Sequence, residues 1–324
     1  MDAVWARLAD LIDRSPSVVD LLDHRLGSIA ARNLRAAGRP VPAPLLEEER
    51  YASFATLAAP VVLRRVVEAH DGAVMLLKGP EVARRYPDPT MRPSHDLDVL
   101  VEDSAAAFAN LRRAGCEVVR DDPSPQHELP LAFGDLPLSI ELHSAPKWPD
   151  WAGPAPTREL FEAAVPAGEG LLAPRLEHHA VLLAVHSWAH RPLARLLDLV
   201  DVLVLLDGCD AAEAAATARR WGVGRVWDVT LRAADAVLAS GPTPWTLYTW
   251  ARNTPRVRRP TRGEELLERC LSPFAALPLR DAARVSGASL LEMLNARRSG
   301  RHSLGELRPE HPAILVARER GDAS

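Results

Sequence analysis

Asp96 and Asp98 stand one residue apart in the stretch HDLDVLV, and the flanking Leu97, Val99, Leu100 and Val101 make that stretch a strand. Side chains alternate between the faces of a strand, so both aspartates point the same way. Two adjacent carboxylates repel each other unless a cation lies between them, which makes the pair a candidate seat for a divalent metal. Phosphoryl and nucleotidyl transfer are the reactions that most often need such a seat. Downstream, LPLSIELH alternates Leu136, Leu138 and Ile140 with Pro137, Ser139 and Glu141, so Glu141 shares a polar face with Ser139 and His143. A third carboxylate on a neighbouring strand completes a constellation for two metal ions. Asp-x-Asp alone also occurs on solvated strands. Here a Lys-Gly step upstream and the carboxylate strand downstream favour the metal.

Read in order, Lys78 and Gly79, Tyr86 and Pro87, Arg92, the DLDVLV segment, and Glu141, Leu142 and His143 resemble the uncharacterised nucleotidyltransferase family of the polymerase-beta-like superfamily. The later stretch HSWAHRPLARLLDLVDVLVLL is similar to that family's helical segment, through His186, Arg195, Leu196 and Asp201. The resemblance runs from about residue 70 to 206, and departs from the wider superfamily where Lys-Gly-Pro replaces the usual Gly-Ser. It implies Mg²⁺-dependent transfer of a nucleoside monophosphate from a nucleoside triphosphate, ATP by default, to a hydroxyl acceptor, with release of pyrophosphate. Asp96, Asp98 and Glu141 would hold two Mg²⁺ ions, with Mn²⁺ as the alternative, and Glu141 would also take the proton of the attacking hydroxyl. Lys78, Gly79, Arg92, His143 and His186 would bind the nucleotide. Gly79 would let the backbone approach a phosphate, the amides near Pro80 to Val82 would face the anion, and Arg92 would fork onto phosphate oxygens. A small molecule or peptide suits the acceptor better than RNA. A silent nucleotide- or peptide-binding protein of the same fold and a metal-dependent phosphohydrolase are the competing readings.

The elements that must position these residues give an α+β fold class: a small mixed β-sheet nucleotidyltransferase core with helices on one side, flanked by N-terminal and C-terminal helical regions. Residues 1–70 read as helices broken by RPVPAPL, and residues 71–147 as the catalytic core. In the core, AVMLLK, HDLDVLV, CEVVR, HELPLAF and LPLSIELH are strands, while PEVARRY and EDSAAAFANLRRAG are helices. Residues 148–299 read as a helical domain, the chain turning helical again from Pro154, and residues 300–324 as a polar tail.

A net charge of −4 over 324 residues gives no general pull toward nucleic acid. The basic run RNTPRVRRPTRG reads as a solvated loop. Cys116, Cys209 and Cys270 lack metal-ligand spacing and read as reduced thiols. No basic-then-apolar leader opens the chain, and LLDLVDVLVLL is interrupted by Asp198 and Asp201 and too short to span a bilayer. A cytoplasmic protein without a membrane partner is the expectation. His186 and His190 have the i, i+4 spacing of zinc ligands, but no third ligand stands near them, so His186 is assigned to the cleft between sheet and helices.

Overall fold

A computed structural model describes residues 1–120 and 127–298, leaving the expected polar tail and the side chain of His190 outside the described part. The chain begins with four helices, α1 (Asp2–Asp13), α2 (Val18–Asp23), α3 (Gly27–Ala36) and α4 (Ala43–Ala69). The sheet region follows with β1 (Val74–Leu76), the single turn α5 (Pro80–Ala83), β2 (Asp96–Val101), α6 (Ser104–Arg113), β3 (Cys116–Val118), β4 (Leu131–Phe133) and β5 (Leu136–His143). After α7 (Thr157–Glu162) come β6 (Val165–Gly168) and β7 (Leu171–Ala173). The remainder is helical: α8 (Leu176–His190), α9 (Leu196–Leu206), α10 (Ala211–Arg220), α11 (Gly224–Leu238), α12 (Trp245–Thr249), α13 (Arg262–Ala276) and α14 (Leu279–Arg298).

The seven strands form one mixed sheet in the order β3-β4-β5-β2-β1-β7-β6, with β2 parallel to β5 and β1 parallel to β7. Period-two alternation divides it into two faces. Leu76, Leu97, Val99, Leu138, Ile140 and Leu142 pack with Ala59, Val62 and Val66 of α4 and with Ala107 and Leu111 of α6. Met75, Leu77 and Leu100 turn the other way, into a larger core shared with α1–α3, α8, α9 and α11. Asp98, Glu141 and His143 share that second face through the same alternation.

Local signals account for several boundaries. Asp103 caps α6 by accepting the Ala106 amide at 2.9 Å, and the chain leaves that helix through Gly115 at φ 94°. Thr261 and Glu264 form a capping box at the start of α13. The basic run before α13 is a docking strut: Arg252 and Arg258 both reach the buried Glu264, at 3.1 and 2.6 Å.

Within the region expected to be helical, the hairpin β6–β7 precedes α8 and adds two strands to the sheet. Its strands are too short for a visible period-two signature, and its turn rests on Gly168, Glu169 and Gly170, all at positive φ. The PEVARRY segment is also shorter than expected, a single turn at Pro80–Ala83, with Arg84 and Arg85 lying over the buried Glu81. Among the described residues no helix is long and apolar enough to cross a membrane.

Candidate active site on the sheet

Parallel pairing sets Asp96 beside Ser139, Asp98 beside Glu141 and Leu100 beside His143. Ligand atoms of Asp98, Glu141 and His143 therefore converge, all within 4.8 Å of one another. Asp96 lies one pleat further out on the same face, half-buried and outside that trio, although its charge still acts on both lysines of the site.

Those lysines define the electrostatics. The Lys78 ammonium lies 3.2 Å from Asp98 Oδ2, and the Lys147 ammonium lies 3.2 Å from Asp98 Oδ1 and donates to Glu141 Oε2 at 2.9 Å. His143 Nε2 is 3.2 Å from Asp98 Oδ1 and 3.7 Å from Glu141 Oε2. His127 and Arg120 approach Glu141 from outside, at 3.7 and 3.8 Å. Burial pushes the Asp98 carboxyl up, yet Lys78, Lys147 and His143 outweigh it and hold the group well below the usual carboxylate range. Burial opposes ionisation of Glu141 too, but His143 and Lys147 bring it down to about 2. Burial works against the charged form of His143, and the two carboxylates reverse that and raise it. Burial likewise lowers Lys78, whereas for Lys147 burial is outweighed by Asp98 and Glu141, which raise it. The result is a compact alternation of charges with both carboxylates ionised.

Lys78 is held in place from two sides. The preceding Leu77 donates its amide to Asp98 O at 3.0 Å and accepts at its carbonyl from His179 Nε2 of α8 at 2.7 Å. Gly79 then takes φ 64°, ψ −124°, a conformation that turns the chain into α5 and that L side chains rarely adopt. The Val82 amide is already satisfied by Gly79 O at 3.2 Å. Arg92 is buried elsewhere: its fork closes on Asp201 of α9 with two 2.8 Å bonds, and the Tyr86 hydroxyl donates to the same carboxylate at 2.6 Å. That triad ties the segment leading into β2 to α9, and explains how an aspartate is tolerated in so apolar a helix. His186 lines a small pocket of about 20 Å³ with Lys78, Asp98, Pro146 and Lys147. On the far side of Pro146 a larger cleft of about 210 Å³ opens against Ser144, Trp148 and Asp150. His95, next to the aspartates in sequence, faces away and stacks on Tyr51 at 4.8 Å.

Two carboxylates and an imidazole at this spacing are a donor set for a divalent cation, and Asp98 Oδ2 is buried with the Lys78 ammonium at 3.2 Å as its ionic neighbour and no hydrogen bond among the described residues. The residues present thus fit the metal that the carboxylate pattern implies. Sequence reasoning had missed Lys147, which follows β5 in an irregular loop with no motif around it. One signal was available: of the chain's 39 Lys and Arg residues only two are lysines, and both stand against Asp98. A compact ammonium fits between two carboxylates where a planar guanidinium does not.

Comparison with curated proteins gives no match. Residues 18–239, more than half of the chain, match the family described as "Uncharacterised nucleotidyltransferase", and the chain belongs to that family.

Proposed function

We propose that this protein moves a nucleoside monophosphate from a nucleoside triphosphate to a hydroxyl group of a small molecule or peptide. The observation that carries the reading is the convergence of Asp98, Glu141 and His143 with both lysines on one sheet face. In the reaction the acceptor oxygen bonds to the α-phosphorus, the bond from that phosphorus to the bridging oxygen breaks, and the electron pair leaves with pyrophosphate. Mg²⁺ or Mn²⁺, two ions by the resemblance, would be held by Asp98, Glu141 and His143 with Asp96 at the outer edge, and would neutralise the triphosphate and acidify the attacking hydroxyl.

The chain's own groups supply the rest. Lys78, pinned through Leu77, and Lys147 face the charge that builds on the departing pyrophosphate. Glu141 accepts the hydroxyl proton, and its basicity rises as Lys147 turns from the carboxylate to the phosphates. Before the ion binds, His143 Nε2 holds Asp98 and Glu141 in place from a fully buried position. His186 borders the bound nucleotide or acceptor from α8, and Gly79 fixes the turn that follows Lys78. Arg92 acts through Asp201 by holding the approach to β2.

ATP is the default donor, and the net charge of −4 favours a small-molecule or peptide acceptor over RNA. The test uses the four nucleoside triphosphates labelled at the α-phosphorus, with Mg²⁺ and fractionated metabolites and peptides as acceptors. Label in a new product matched by equimolar pyrophosphate supports transfer. Free labelled monophosphate as the sole product identifies a hydrolase, and nucleotide binding without turnover identifies a silent binder.

A further inference from the structure

Two arginines on adjoining loops form a feature that the proposed chemistry has not used. His24 joins them: its ring Nδ1 accepts the Leu196 amide at 3.0 Å and its carbonyl accepts the Leu197 amide at 3.4 Å. The same ring donates from Nε2 to Arg258 O at 2.8 Å, so its two nitrogens are committed to fixing the junction. Arg25 directly follows His24, and Arg195 directly precedes the amides that His24 caps. The junction therefore brings the two guanidinium-bearing residues side by side at the mouth of α9.

The loops carrying them are built, not slack. Helix α2 closes in a Schellman arrangement, with the Arg25 amide on Leu22 O at 2.9 Å and the Leu26 amide on Leu21 O at 2.8 Å. That motif places Arg25 at φ 58°, where glycine is the usual occupant. The Arg195 loop passes through Leu193 at φ 59°, and buried Asn253 and Thr254 hold it by donating to Ala194 O and Leu193 O. Yet among the described residues neither guanidinium has a hydrogen bond or a salt bridge. Both side chains are accessible, Arg195 the more so. The charge of Arg25, ahead of desolvation, lowers Arg195 to about 10, and Asp198 and Asp23 only partly compensate. The charge of Arg25 also reaches Lys78 of the carboxylate site, as the smallest of the causes that act on it.

Resting on the transfer reading for its biological ligand, we propose that Arg25 and Arg195 form a second, oxyanion-binding subsite at the mouth of α9 that takes a phosphate-type group of the substrates. Two guanidinium groups on adjoining loops, Arg195 exposed and Arg25 half-buried, whose charges act on each other are relieved by one shared oxyanion. A glycine at position 25 would close the helix without strain, whereas the arginine there sets a second positive charge near Arg195. The group is either the terminal part of the nucleotide's triphosphate or an anionic group on the acceptor.

Pyrophosphate binding to the full chain, measured by titration calorimetry in chelator, reads this subsite without turnover and without metal. Arg25→Gly is the decisive variant, because it removes the guanidinium while relaxing the backbone. It should melt no lower than the wild type and bind pyrophosphate roughly tenfold more weakly. Arg195→Gln should weaken binding similarly, whereas Arg39→Gln, which removes an exposed arginine paired with Asp13, should not. Displacement of pyrophosphate by ATP assigns the subsite to the triphosphate, and unchanged pyrophosphate affinity in saturating ATP assigns it to the acceptor; both support it. Wild-type affinity in both Arg25→Gly and Arg195→Gln overturns it. Because the readout is binding, a failed transfer assay leaves this result standing on its own.

Discussion

At the scale of single residues, the two aspartates of the DLD motif are unlike in their surroundings. Asp98 is 1 % exposed and answers two ammonium groups and an imidazole, whereas Asp96 is half-buried and outside the trio. Replacing either by asparagine removes a charge at constant volume, but the consequences diverge. Asp98→Asn leaves the largely enclosed Lys78 without its ion-pair partner, and should lower stability by about 3 kcal/mol in urea titration as well as abolish transfer. Asp96→Asn should lower transfer with a stability change under about 1 kcal/mol. Equal melting temperatures for the two variants would contradict this division. The sequence made the shared face of Asp96, Asp98, Glu141 and His143 legible because period-two geometry needs no tertiary knowledge. It could not separate the aspartates, because that difference is made by Lys78 and Lys147 and by Leu182, Leu183 and His186 of α8, which line the pocket at Asp98.

At the scale of elements, β1 and its following turn do the positioning. Leu77 is clamped between β2 and His179, and the chain reverses at once through Gly79. A Cβ at Gly79 would meet Ser94 Oγ at 3.4 Å, a tight but tolerable contact, so the backbone conformation and not the space demands glycine. Gly79→Ala should cost about 1–3 kcal/mol in chemical denaturation and displace Lys78, so that activity falls more than the loss of folded protein accounts for. Strands β2 and β5, helix α6 and the Gly134 turn were readable from alternation, caps and breakers. The hairpin β6–β7 and the brevity of α5 were not, since three- and four-residue elements carry too few positions for a period. Arg92 shows the same limit in a side chain. Its place near the metal strand suggested a phosphate, yet Asp201, over a hundred residues away, holds its fork.

At the scale of the whole molecule, the family match from residue 18 to 239 takes in both the sheet and helices α2–α11, so the carboxylate face and the helices that back it are matched together. Helix α13 lies beyond it and docks through charge: Arg191 at the end of α8 reaches Glu265 and Glu268, Glu264 gathers Arg252 and Arg258, and the Arg258 carbonyl accepts from His24 at the arginine loops. Arg258 is the largest cause that brings Glu264 from its ordinary 4.5 to about 2, against the opposing effect of burial. A carboxylate lowered in the folded state stabilises it above the unfolded value, and that contribution fades as acid protonates the group. Stability should therefore fall between pH about 4.5 and 2, and Glu264→Gln should flatten that limb of a pH-melting curve. An acid limb identical to the wild type's would rule out Glu264 as the sensitive contact.

The transfer account as a whole turns on a divalent cation held by the sheet carboxylates together with a nucleotide. Mn²⁺ titration followed by electron paramagnetic resonance, on the full chain with a non-hydrolysable nucleoside triphosphate, measures that directly. Bound Mn²⁺ in the wild type, weakened at least about tenfold in a folded Glu141→Gln variant, is the predicted result. Absence of nucleotide-dependent Mn²⁺ binding in the wild type, or the same affinity in Glu141→Gln, would contradict it.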